Sequence, residues 1–181
     1  MTFLKESKKF IFIAVVAFLV SLIIGFFVPA PKFIEEKIME FLSELLKVTE
    51  GMSSFELMRY IFFNNLKTSF LGIVLGVAFG IFPFLASLSN GYILGFVAKL
   101  SVNENSLLIL WRLFPHGIFE LPAIFISFGL GLKLGTFVFK KDEGRYLYEY
   151  LVNSLRVFVL IVVPLLILAA IIEGLLIGLG V

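Results

Sequence analysis

Cysteine and glutamine are both absent from this 181-residue chain. Without cysteine there is no disulfide framework, no thiol nucleophile and no cysteine-ligated metal. The joint absence fits a heat-adapted source, and equally the composition of a membrane protein. Histidine and tryptophan each occur once. One histidine excludes His-Glu-x-x-His and every other multi-histidine zinc set. Charged residues make up only 15%, with a net charge of +2. That is no basic field for a nucleic acid, and none is expected as a partner. No nucleotide loop or serine triad is present, and no cofactor is expected. What fills the chain instead is apolar: 60% of residues are hydrophobic and 23 are Phe. A soluble domain of this size cannot hide that much in one core, so lipid is the expected solvent.

The N-terminus resembles a secretion signal, with Lys5, Lys8 and Lys9 before an apolar run. The run to Val28 is longer than a signal core of about 7–15 residues, and Pro31 follows the nominal cleavage point. We read residues 10–29 as a retained first span. Crossing a bilayer takes about 20 apolar residues. Further spans are read at 66–82, 84–99, 118–139 and 155–180, with Pro83 as the turn between the second and third. The expected architecture is a single all-α, polytopic membrane domain over residues 1–181, with about five transmembrane helices. An amphipathic surface helix and a Pro-broken helix near residues 106–122 complete it.

Basic residues in short loops orient such a chain. Lys5, Lys8, Lys9, Lys140, Lys141, Arg145 and Arg156 belong in the cytoplasm, and the 31–60 segment belongs outside. The N-terminus is then cytoplasmic and the C-terminus external. Within the outer segment, Ile34, Ile38, Phe41, Leu42 and Leu45 share one face of a helix over 33–48. That face can lie on the membrane, pack on the bundle or meet a second copy. Ser53-x-x-Glu56 is a capping box. It should start a helix running through Arg59, Asn64 and Asn65 into the second span.

Glycines recur at helical spacing: 72, 76 and 80; 91 and 95; 131 and 135; 174 and 178. Small residues four apart let helix backbones meet. They serve packing within one bundle or contacts in a homo-oligomer.

The stretch "LWRLFPHGIFELPA" (110–123) places Arg112, His116 and Glu120 four residues apart among helix breakers. Pro115 and Pro122 each disfavour a continuous helix. A short arm at 106–114, a bend at Pro115-His116-Gly117 and a following helix are expected. Asn64, Asn65, Arg112, His116, Glu120 and Glu173 then share one level in the outer leaflet. An ionisable group in lipid costs about 2.5–3.5 kcal/mol on insertion scales, so it normally faces the interior and finds a partner. The cluster is a structural clasp, a binding or transport site, or a metal site on His116 and Glu120. One histidine with carboxylates is a poor zinc set.

"NNLKTSFLGIVLGVAFGI" (64–81), "NGYILG" (90–95) and "PHGIFELPAIFISFGLGLKLG" (115–135) occur in that order. Together they resemble the stage II sporulation protein M family of small multi-pass membrane proteins. The residues carrying the resemblance are Asn64, Asn65, Asn90, Gly91, Pro115, His116, Gly117 and Glu120. It implies five spans and no catalytic activity. It implies a scaffold that recruits protein partners in the membrane or envelope for remodelling. The alternative is a channel or transporter component with an outer-leaflet Arg/His/Glu site. Water access separates them: a transporter needs His116 and Glu120 on a wet cavity, whereas a scaffold can keep them sealed.

Overall fold

The computed structural model describes residues 2–105 and 114–178, all helices and short connections without a strand. A short α1 (Thr2–Glu6) leads through Ser7 into α2 (Lys8–Phe27). Then come α3 (Lys32–Thr49), α4 (Ser54–Val74) and α5 (Ile81–Asn105). After them stand α6 (Phe114–Leu134), α7 (Glu143–Val157) and α8 (Val163–Gly178). Among the described residues five helical stretches are long and apolar enough to cross a bilayer: Lys8–Phe27, Ser54–Val77, Ile81–Val102, Gly117–Phe139 and Glu143–Ile172. The chain is a multi-pass membrane protein.

Local chemistry sets the boundaries. The second span starts far earlier than 66. Ser53 Oγ accepts from the Glu56 N–H while Glu56 Oε2 accepts from the Ser53 N–H at 2.9 Å, and the helix runs on from this box. Hydropathy alone discards residues 54–65 because they carry Glu56, Arg59 and two asparagines. The turn into the third span lies at Ala78–Gly80 rather than at Pro83. Phe79 and Gly80 both take positive φ there, 56° and 71°. Pro83 sits buried in the first turn of α5, where its missing N–H costs nothing. The segment expected at 84–99 belongs to a described span of 22 residues, about 33 Å long and sufficient to cross. The fifth span begins at Glu143 rather than 155. It contains a π-helical turn at Phe158–Val162 just ahead of Pro164. The wider turn makes room for a ring that would otherwise meet the carbonyl four residues back.

The expected break in the fourth span is not where the prolines suggested. Residues 114–134 form one helix, with Pro115 in its first turn and Pro122 inside it. A proline in a first turn displaces no helical hydrogen bond. Pro122 removes one, which membrane helices tolerate when neighbours pack around the site. Of the arm expected at 106–114, residues 106–113 lie outside the described residues and Phe114 opens α6.

Glycines build the two seams of the bundle. The first and third spans run parallel: Gly91 meets the Phe18 carbonyl, Gly95 meets the Leu22 carbonyl and Gly25 meets the backbone of Tyr92. Ser87 Oγ donates to the Ala14 carbonyl at 2.7 Å along the same seam. The second and fourth spans also run parallel, with Gly72 and Gly76 against Gly131. These glycines therefore serve packing within one chain. The fourth span is the centre: 56% of its apolar window is buried, against 22–28% for the others. Its Ala123 and Leu130 pack with Ile73 of α4 and with Phe158, Val162 and Leu166 of the last span.

At the end of the bundle that carries Lys9, Lys133 and Lys140, α1 is fastened down. Ser7 Oγ donates to the Phe3 carbonyl at 2.7 Å. Lys133 Nζ donates to Glu6 Oε2 at 3.1 Å and stands 3.7 Å from the centroid of Phe3. The opposite end carries α3. Its Phe33, Phe41 and Leu46 are exposed while Ile38 is buried. On its polar face Lys37 Nζ donates to Glu40 at 2.7 Å, which holds the Glu40 carboxyl below its ordinary range.

Candidate functional site

Toward the α3 end, four spans leave a gap that the described side chains do not fill. Its volume is about 210 Å³. Asn64, Asn65 and Thr68 reach it from α4, Asn90 from α5, and Gly117 and Glu120 from α6. Phe18, Leu94, Leu121 and Ile124 supply the apolar wall. The polar members are there by spacing. Asn64 and Thr68 are one turn apart, and Asn65 stands beside them on the same inward side of α4. Gly117 has no side chain to occlude the gap, and a Cβ there would meet nothing nearer than Leu121 Cδ1 at 3.6 Å.

The lining is three amides, a hydroxyl and a carboxyl. Amides donate and accept, so they suit a neutral polar guest or water; the Glu120 carboxyl, which is itself engaged, keeps that wall polar. At about 30 Å³ per molecule the gap has room for roughly seven waters. Asn64 is exposed, while Asn65, Asn90 and Glu120 are half-buried. Asn64 also lines an open groove on the outer face of α4. Behind it, Asn65 and Glu120 border a crevice against Leu166, Ala169 and Ala170 of α8 that is too narrow for a water molecule.

Of the residues singled out in the sequence, Asn64, Asn65, Asn90, Gly117 and Glu120 come together here. Gly91 does not; it packs on α2. Arg112 lies outside the described residues, as do the side chains of Pro115, His116 and Glu173. The expected pairing of these groups with Glu120, and the His116–Glu120 metal pair, thus fall outside what is described. Among the described residues no three His, Asp or Glu side chains come together. Three features escaped the sequence reading. Thr68 was signalled by its one-turn spacing from Asn64. Phe18 had no signal within its uniformly apolar span. Lys133, buried in the fourth span, had none because its partner Glu6 is 127 residues away.

The profile of the family described as Stage II sporulation protein M matches residues 14–176. The chain belongs to that family. The matched region takes in both glycine seams and every described residue of the cavity. Among curated relatives, the uncharacterized protein MJ0706 of Methanocaldococcus jannaschii is 30% identical over 137 residues. The aligned part covers 72% of this chain and 60% of that protein. MJ0793 of the same organism is 34% identical over 116 residues, covering 61% of this chain and 65% of the relative. The chain thus spans somewhat less than two thirds of these relatives' lengths. No solved structure matches it.

Proposed function

We propose that this stage II sporulation protein M family member is a non-enzymatic channel or transporter component that binds a small polar or cationic solute. The observation that supports the reading is the amide-and-carboxyl cavity, which has water-sized room and is bordered by the exposed Asn64. Glu120, one of the two residues whose water access separates the two sequence readings, borders this cavity. The basic residues at the Lys133 end orient that end to the cytoplasm. The cavity and α3 then face the exterior.

The test is flux. Protein reconstituted in liposomes is expected to pass a small probe such as ammonium, potassium or glycerol. Glu120→Gln should reduce cation flux at least tenfold, while Asn65→Leu should reduce all flux by filling the cavity. Liposomes no leakier than empty ones to any of these probes would return the protein to the scaffold reading.

The scaffold reading keeps one supporting observation: the exposed apolar side chains of α3. They suit a membrane surface, a protein partner in the envelope or a second copy of the chain.

A further inference from the structure

The end of the bundle that carries Lys133 holds a pocket of about 270 Å³ where α1, α2, α6 and α7 meet. Its charged lining is Lys9, Lys133 and Lys140 against one carboxylate, Glu6. Glu6 is engaged: its Oε2 accepts from Lys133 Nζ at 3.1 Å, and the same ammonium donates to the Phe3 carbonyl at 3.4 Å. Glu149 of α7 also acts on Lys133, from outside the lining. The positive excess therefore rests on Lys9 and Lys140, both exposed. Among the described residues the ion pairs are Lys37–Glu40 and Lys133–Glu6, so neither Lys9 nor Lys140 has a carboxylate of its own. Ring contacts fix where their ammonium groups stand. Lys9 Nζ lies 4.8 Å from the centroid of Phe10, a ring of the pocket wall. Lys140 Nζ lies 5.4 Å from the Tyr146 centroid. Tyr146 packs edge-on at 5.6 Å against Tyr150, the ring that also stands 5.2 Å from Lys133 Nζ. The Thr136 hydroxyl is committed to the Lys133 carbonyl at 2.7 Å, so the donors left for a guest are the two exposed lysines.

Depth decides what can occupy it. Lys9 is the second residue of the span Lys8–Phe27, and Lys140 directly follows the span Gly117–Phe139. Both stand where spans leave the hydrocarbon, which is the level of lipid headgroups. Basic pockets between helix ends at that level attract anionic headgroups. Phe139, the last residue of its span, is 80% exposed and gives an acyl chain an apolar face beside the cations. At about 30 Å³ per molecule the pocket has room for roughly nine waters, some of which a phosphate group can replace. We propose that this pocket binds the phosphate of an anionic phospholipid, held between Lys9 and Lys140 against the Lys133–Glu6 pair. A soluble phosphate would meet the same two ammonium groups but gain nothing from Phe10 and Phe139, which favours the lipid. The inference does not depend on solute passage and goes beyond it.

Native mass spectrometry of protein drawn from membranes of phosphatidylglycerol and phosphatidylcholine in equal parts, with the same acyl chains, tests it. Wild-type protein should retain phosphatidylglycerol about fivefold or more over phosphatidylcholine. Lys9→Gln with Lys140→Gln should remove the preference, and Lys9→Arg with Lys140→Arg should keep it. Lys5→Gln with Lys8→Gln, at the same end but outside the pocket lining, should leave it intact. Equal retention of the two lipids by wild-type protein overturns the site. So does a preference that survives Lys9→Gln with Lys140→Gln, or one that falls as far with Lys5→Gln and Lys8→Gln, which would make it a property of diffuse surface charge. Inorganic phosphate that displaces phosphatidylglycerol at millimolar concentration would make free phosphate the ligand and also overturn the lipid site. If the Lys9 and Lys140 variant fails to fold, the wild-type preference, the Lys5 and Lys8 control and the phosphate competition still decide.

Discussion

Alanine at Gly131 should separate the two helices that hold the centre of the bundle. A Cβ on Gly131 would overlap the Gly72 carbonyl oxygen, lie 3.0 Å from its carbonyl carbon and 3.1 Å from Pro83 Cγ. None of these atoms can rotate aside; two are backbone and one is a ring locked in a helix. Relief requires that α4 and α6 move apart along the seam flanked by Ile73 and Leu130, both fully buried. Overpacking typically costs about 1–3 kcal/mol, and backbone on both sides argues for the upper part of that range. The better helix propensity of alanine returns about 0.5–1 kcal/mol. The net cost is roughly 2 kcal/mol, which for a chain of this size lowers the melting temperature by roughly 4–8 °C. Gly144→Ala is the control, since a Cβ there meets nothing within 4 Å. Both variants would be melted in the same detergent by intrinsic fluorescence. A Gly131→Ala protein that melts within about 1 °C of Gly144→Ala would refute the argument that backbone contact closes this seam.

Glu6→Gln should destabilise more than Lys133→Met. The Lys133 side chain is 5% exposed and that of Glu6 59%, so the first change strands a buried ammonium at a cost of about 1–3 kcal/mol while the second removes it. The opposite order of melting temperatures would refute this. Phe79→Gly should stabilise by about 0.5–1 kcal/mol in the same assay, because an exposed phenylalanine at φ 56° is strained and glycine is not. A lower melting temperature would refute it. In this cysteine-free chain, cysteine at Glu36 should react with an impermeant maleimide from outside cells and cysteine at Glu143 only after permeabilisation. The reverse pattern would invert the proposed orientation.

The spans were legible because runs such as residues 10–28 have no soluble alternative, and because polar residues in lipid stand out. Asn64, Asn65, Asn90 and Glu120 could be picked out for that reason, and the capping box at Ser53 fixed one helix start outright. Boundaries were less legible where hydropathy and helicity part company. Residues 54–65 are helical yet polar, and Pro83 reads as a turn although the turn is made upstream by Phe79 and Gly80. Pro122 reads as a breaker but is carried within a packed helix. Contacts that join distant positions left no local trace: Phe18 beside the cavity, and Lys133 clasped by Glu6.

The two glycine seams also constrain the order in which this protein can be made. Each joins helices that enter the bilayer two steps apart and in the same direction. The first span has no backbone-close partner until the third has been synthesised, and the second waits in the same way for the fourth. A nascent chain halted after two spans therefore holds two unmatched helices rather than half a bundle. Assembly is expected to come late, when the glycines of residues 129–135 arrive and lock against α2 and α4 within a few turns of one helix. Substitutions in that short stretch should accordingly reduce the yield of inserted, protease-resistant protein more than equal changes in the first span.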